Sequence, residues 1–194
     1  MEPTGRVLPT GILLAAGASR RFGGGKLFAT LADGTPIGAA ACRAMRAALP
    51  DVFAVVRTDD HALAELLSTH GAHVVRCARA GEGMGASLAC GIEASADAAG
   101  WVVGLADMPW IATSTIHAVA DAIAAGASLA APVYRGERGH PVGFSASHRE
   151  ALLALKGDEG ARTLLAHAGA ALVRIDVDDA GELRDVDHPR DLGR

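Results

Sequence analysis

Aromatic side chains are scarce in this chain, at 4% of 194 residues, so alanine, valine and leucine have to fill the interior. With 50% hydrophobic residues there is still enough apolar material for a substantial core, and the length is read as one domain over 1–194. Cysteine is also rare. Cys42, Cys77 and Cys90 are odd in number, far apart and form no Cys-x-x-Cys. That argues against a disulfide framework or a structural zinc site and fits a reducing compartment. Excess positive charge is lacking too. A net charge of -4 exerts no general pull toward nucleic acid or an anionic membrane, so neither is expected as a partner. There is no long hydrophobic run. The longest apolar stretch, near Ala118 to Val133, is broken by Asp121 and Gly126 and is too short for a span. Leu13 to Ala18 faintly resembles a signal peptide, but the run is short and a basic loop follows it. A cytoplasmic location is the expectation.

What is present is concentrated in residues 11–26. A short apolar run, Ile12 to Ala16, reads as a buried strand. It gives way to a loop holding Gly17, Gly23, Gly24 and Gly25, then Lys26. Glycines let the backbone turn sharply and bring N–H groups close to an anion, while Arg20, Arg21 and Lys26 supply positive charge. Together these describe a seat for a nucleoside triphosphate. A Walker A loop is excluded because Leu27 follows Lys26, and a dinucleotide fingerprint because Ala-Ser follows the first glycine. A plain solvated loop is the remaining alternative.

Strand-like and helix-like segments alternate along the whole chain, which predicts an α/β layer architecture with a largely parallel sheet. Strands are expected at Ile12–Ala16, Val52–Arg57, His73–Cys77, Trp101–Leu105, Leu129–Tyr134, Pro141–Ser145 and Ala171–Asp176. Helices are expected at Pro36–Leu49, His61–His70, Ala86–Ala99, Thr113–Ala125, Glu150–Leu155 and Gly160–His167. No helix separates Leu129–Tyr134 from Pro141–Ser145, so one of that pair can run antiparallel. The suggestive loops, 17–26, 81–87 and 106–109, all follow strands, where ligands bind in such sheets.

Asp107 ends an apolar strand and is placed to meet a hard cation such as magnesium. The alternative, a cap for the helix near Thr113, is better served by Thr113 and Ser114. Asp185 and Asp187 alternate onto one side of an extended segment, which suits either a second metal ligand or a surface turn. Gly81 to Ser87 combines glycines with a hydroxyl at a helix start, where N–H groups and Ser87 can read a base edge. Arg135 to Pro141 is either a charged hairpin loop or a contact to an anionic acceptor. Its His140 can serve as an acid or base, although structural histidines are commoner. Gly157 to Arg162 is a helix N-terminus for an anion or a capped turn. No Ser or Cys has a partner histidine and aspartate at recognisable spacing, so the chemistry implied is direct phosphoryl transfer by positioning and charge neutralisation.

Leu14-Ala15-Ala16-Gly17-x-Ser19-x-Arg21-Phe22-Gly23-x-x-Lys26 resembles the signature loop of nucleotidyltransferases with a sugar-nucleotide-transferase-like fold. Gly83-Met84-Gly85-x-Ser87-Leu88, Ala106-Asp107-Met108-Pro109, Arg138-Gly139-His140-Pro141-Val142 and Gly157-Asp158-x-Gly160-Ala161-Arg162 narrow it to the molybdenum cofactor cytidylyltransferase branch. Asp185-Val186-Asp187-x-Pro189-x-Asp191-Leu192 matches the ending common in the superfamily. The resemblance implies a three-layer α/β/α Rossmann-like nucleotidyltransferase fold, mostly parallel with one antiparallel strand. It implies that Gly17, Ser19, Arg21 and Lys26 hold the triphosphate, with Lys26, Arg21 and Asp107 as the catalytic set. Asp107 and Asp187 would hold Mg2+. Ala15, Ala16, Gly83, Gly85, Ser87, His140, Asp158 and Arg162 complete the substrate-binding set. The implied reaction moves CMP from CTP to the phosphate of a molybdopterin-type acceptor and releases pyrophosphate, with a molybdoenzyme or its maturation chaperone as partner. Ala15-Ala16-Gly17 resembles the CTP-using branch and Gly23-Gly24-Gly25 the guanylyl branch. GTP, another phosphorylated small molecule, or a non-catalytic nucleotide-binding protein are the alternatives.

Overall fold

The structure, a computed structural model, describes residues 7–17, 19, 22–158, 161, 164–165 and 169–193. The first strand, β1 (Thr10–Leu14), lies inside the sheet. It pairs in parallel with β2 (Val52–Arg57) on one side and β4 (Gly100–Leu105) on the other. β3 (His73–Cys77) continues beyond β2, with Arg57 opposite Cys77. Strands covered on both faces read as continuous apolar runs rather than alternating ones, as Val52–Val56 and Trp101–Val103 do. Beyond β4 come β7 (Val142–Ser145), antiparallel to both neighbours, then β5 (Leu129–Tyr134), which also pairs with β6 (Glu137–Arg138) and in parallel with β8 (Leu172–Asp176). The antiparallel member expected between β5 and the following strand is therefore β7. The two-residue β6 was not expected. It arises because Arg135 and Gly136 take positive φ (52° and 86°), the geometry of a tight two-residue hairpin turn.

Helices cover both faces. α1 (Ile37–Ala48), α2 (His61–Thr69) and α4 (Thr113–Ala124) share one core with Leu13, Ala54 and Val102. α3 (Met84–Ala94) and α5 (Arg149–Leu153) share the other with Ile12, Val55, Trp101 and Phe144. α1 buries Ile37, Ala41, Met45 and Ala48, a one-sided stripe. The α2 start is fixed by Asp60, whose carboxylate accepts the Leu63 N–H at 3.1 Å. The helix expected over Gly160–His167 falls largely outside the described residues. No helix among the described residues is long and apolar enough to cross a membrane.

Two local expectations are corrected. Cys77 and Cys90 form a disulfide, with Cα atoms 5.9 Å apart. β3 ends beside α3, so packing joins two cysteines whose spacing of 13 gives no signal. Cys42 stays free and buried, and burial pushes its thiol up to about 11. The start of α4 is capped neither by Thr113 or Ser114 nor by Asp107. The Asp179 carboxylate accepts from the Ala112 N–H at 2.9 Å and the Thr115 hydroxyl at 2.6 Å. This relieves Asp107 of any structural need at that helix.

Candidate active site

Sheet order runs outward in opposite directions from β1 and β4, so the crevice past their carboxyl ends is the topological switch point where open α/β sheets bind ligands. A cleft of about 610 Å³ occupies it, a size suited to a nucleotide-sized ligand. A smaller hollow of about 300 Å³ shares the Gly17–Lys26 rim and reaches Asp60 and Phe28.

The first loop builds one wall. Ser19 sits at φ 48°, in the left-handed region that L-residues rarely adopt. Its carbonyl accepts the Phe22 and Gly24 N–H groups at 3.1 and 3.2 Å. Gly23, Gly24 and Gly25 follow with φ of 90°, 98° and 62°, conformations that suit glycine, and deliver the chain into a short 3-10 turn at Lys26–Phe28. Lys26 is thereby drawn inward and is only 9% exposed. Its Nζ lies 2.7 Å from Asp107 Oδ2 and 3.8 Å from Asp187 Oδ1. An ammonium thus sits between two carboxylates that lie 81 and 161 residues further along the chain, past the tip of β4.

The loop after β3 builds the opposite wall. Gly83 has φ 132°, and a Cβ there would overlap the Gly157 backbone. At Gly85 a Cβ would lie 2.9 Å from the Lys156 carbonyl. The amides of these two glycines are spent on Ala80 and Gly157 carbonyls at 3.4 and 2.7 Å. What they provide is close packing against 156–158, which carries Asp158 to the cleft. α3 starts at Met84, before the expected Ala86, and so puts Ser87 in its first turn. The Ser87 hydroxyl donates to the Gly83 carbonyl at 3.2 Å, leaving its lone pairs for a ligand.

The fold therefore brings Ala15, Ala16, Gly17, Ser19, Lys26, Gly83, Ser87, Asp107, Asp158 and Asp187 to one cleft. Gly85 stands behind its wall. His140 also lies behind, among the residues packed on β4. Burial holds its ring below the usual histidine range, the charge of Asp107 draws it back up and Arg138 opposes that. Its Nδ1 is buried without a partner. Asp185 does not line the cleft. Arg20, Arg21 and Arg162 lie outside the described residues. Sequence reasoning passed over Arg57, at the carboxyl end of β2, which lines both the cleft and the smaller hollow and pairs with Asp59 at 3.4 Å. The signal was available: like Asp107, it is a charged residue ending a buried apolar strand. Among the described residues no group of three or more His, Cys, Asp or Glu is placed to hold a metal; Asp107 and Asp187 are the two carboxylates that converge on Lys26.

Residues 11–173 match the family described as the MobA-like NTP transferase domain. The chain is 34% identical over 195 residues to the purine catabolism protein PucB of Bacillus subtilis (strain 168), covering 93% of this chain and 92% of that protein. Rv0371c from Mycobacterium tuberculosis H37Rv matches with a TM-score of 0.84 and 28% identity over 97% of both chains. Its manganese complex matches with a TM-score of 0.78 and 26% identity, again over 97% of both chains. Molybdopterin-guanine dinucleotide biosynthesis protein A from Archaeoglobus fulgidus shares the fold, with a TM-score of 0.69 at 18% identity over 95% of both chains. The cleft lies where this fold binds ligands, and the chain is a nucleotidyltransferase that belongs to the MobA-like NTP transferase family.

Proposed function

We propose that the enzyme transfers CMP from CTP to the phosphate of a molybdopterin-type acceptor. An acceptor phosphate oxygen attacks the α-phosphorus of the nucleotide, the bond between the α-phosphorus and its bridging oxygen breaks, and pyrophosphate leaves. The observation that carries this reading is Lys26 held between Asp107 and Asp187 at the strand tips, facing the glycine-rich loop. A cation there neutralises charge gathering on a leaving pyrophosphate.

Asp107 and Asp187 fit a hard divalent cation, since each offers carboxylate oxygen and the pair already holds the ammonium of Lys26. Mg2+ is the proposed ion; the manganese complex of Rv0371c supports a divalent metal in this fold. When bound, such an ion supplies Lewis-acid stabilisation of phosphate oxygens. Lys26 then faces the phosphates, with Arg21 and the Gly17–Ser19 backbone completing the triphosphate seat. On the other wall, Ser87 offers lone pairs to the amino group of a base, while Arg57 offers donors only. That complement suits the Watson–Crick edge of cytosine. Asp158 and Arg162 would bind the acceptor, with His140 supporting the site from behind the wall, and a molybdoenzyme or its maturation chaperone would receive the product.

The test is a competition. CTP and GTP at equal concentration are incubated with the full chain, Mg2+ and molybdenum cofactor, and the dinucleotide product is identified. A cytosine dinucleotide supports the reading. A guanine dinucleotide transfers the chain to guanylyl chemistry, and no dinucleotide removes the pterin acceptor.

A further inference from the structure

Residues 179–187 fasten separate parts of the site to one another. Asp179 caps α4, the Glu182 carbonyl accepts the His140 N–H at 3.0 Å, and the Val186 N–H donates to the Asp107 carbonyl at 2.9 Å. In the middle of this segment stands Glu182, with 0% of its surface exposed. Both of its carboxyl oxygens are buried, and the polar group that faces them is the backbone amide of Tyr134. Gly139 packs onto it so closely that a Cβ there would overlap the Glu182 carbonyl and lie 3.0 Å from its Cδ.

We propose that Glu182 is a positioning residue for nucleotidyl transfer: its carboxyl, seated beneath Gly139, sets the His140 turn and the tether to Asp107. The proposal rests on the role given to Asp107 above. An apolar side chain would fill the same space without a desolvation cost, whereas a carboxylate shut off from solvent is expensive there. Glu182 therefore keeps its seat as the neutral acid. Burial pushes its carboxyl up to about 7, the charge of Asp179 adds to this, and the Tyr134 amide opposes it. Asp179 is the charge facing it from its own turn, and β5 presents the Tyr134 backbone. From the 138–141 turn the closest approach is the uncharged Gly139; the charges that act on the His140 ring are those of Asp107 and Arg138. The sign follows. Because the folded value lies above the ordinary one of 4.5, stabilisation by the seated acid is complete below 4.5 and is lost as pH rises through about 7. Above that, the carboxylate favours leaving its seat, which slackens the hold on His140 and Asp107.

Wild type, Glu182→Gln and Glu182→Ala are compared from pH 6 to 8.5. Pyrophosphate release with CTP, Mg2+ and molybdenum cofactor gives kcat and both KM values. Hydrogen exchange of segment 134–141, without substrates, gives the local opening. The amide keeps the shape of the neutral acid, so the ratio of Glu182→Gln to wild-type kcat should be near one at pH 6. By pH 8.5 it should rise about tenfold, in step with faster exchange in wild type alone. Glu182→Ala should exchange fast at every pH and raise the acceptor KM while leaving the CTP KM within about twofold. Equal pH profiles and equal exchange for wild type and Glu182→Gln overturn the proposal. If wild type transfers no nucleotide, the reading of the site fails, and the exchange comparison alone decides whether Glu182 holds the turn.

Discussion

Lys26 is held by sequence and surroundings together: a glycine loop turns it inward, and two carboxylates stabilise it there. Its positive charge serves the cleft and fills no apolar core, so Lys26→Ala should leave the fold intact and cut kcat by roughly 10²- to 10³-fold. Steady-state pyrophosphate release and a thermal melt check both halves; wild-type kcat in a folded variant moves the phosphate seat elsewhere. Asp107→Asn keeps the shape but removes the charge that draws a hard cation. It should abolish turnover supported by Mg2+ with little change in melting temperature, because α4 is capped from Asp179. An early melt with unchanged rate per folded molecule would make Asp107 structural. For base choice, Ser87→Ala should narrow the preference for CTP over GTP, since the lone pairs that accept from the amino group are lost. Competition at equal nucleotide concentration measures it, and an unchanged product ratio removes Ser87 from base reading.

At the scale of elements, the cap on α4 comes from 67 residues away. Losing a helix cap costs about 1–2 kcal/mol, so Asp179→Ala should lower stability to denaturant by that amount. A chemical unfolding curve decides it, and an unchanged midpoint would show that Ala112 and Thr115 find other partners. This cap also shows where sequence reasoning stops. β2, β3 and β5 were expected at Val52–Arg57, His73–Cys77 and Leu129–Tyr134 and are found there: β2 and β3 each carry a valine pair, and β5 is a short apolar run bounded by Gly126 and Gly136. The loop positions of Lys26 and Asp107 were legible for the same reason: both follow strands that announce themselves. Asp179, Glu182 and the Cys77–Cys90 bridge were not, since what they do depends on which distant segment the fold lays beside them. The packing reason for Gly83 and Gly85 was hidden too: 156–158 lies so close to both that an added Cβ would clash with it.

Across the whole molecule, a mostly parallel sheet with helices on both faces leaves one crevice at β1 and β4, and residues from 15 to 187 converge on it. Convergence of that span ties ligand binding to global stability, because a ligand that binds only the folded chain raises its stability by mass action. CTP with Mg2+ should therefore raise the melting temperature of wild type and do so less for Lys26→Ala. Equal shifts in both would place the nucleotide away from Lys26. The central claim, that this crevice moves a nucleotidyl group onto a phosphorylated pterin, is tested most directly with CTP labelled at its α-phosphorus. Incubated with the full chain, Mg2+ and molybdenum cofactor, the label should appear in a pterin dinucleotide with one pyrophosphate released per product. Label remaining in CTP, with GTP and other acceptor phosphates equally inert, would contradict it.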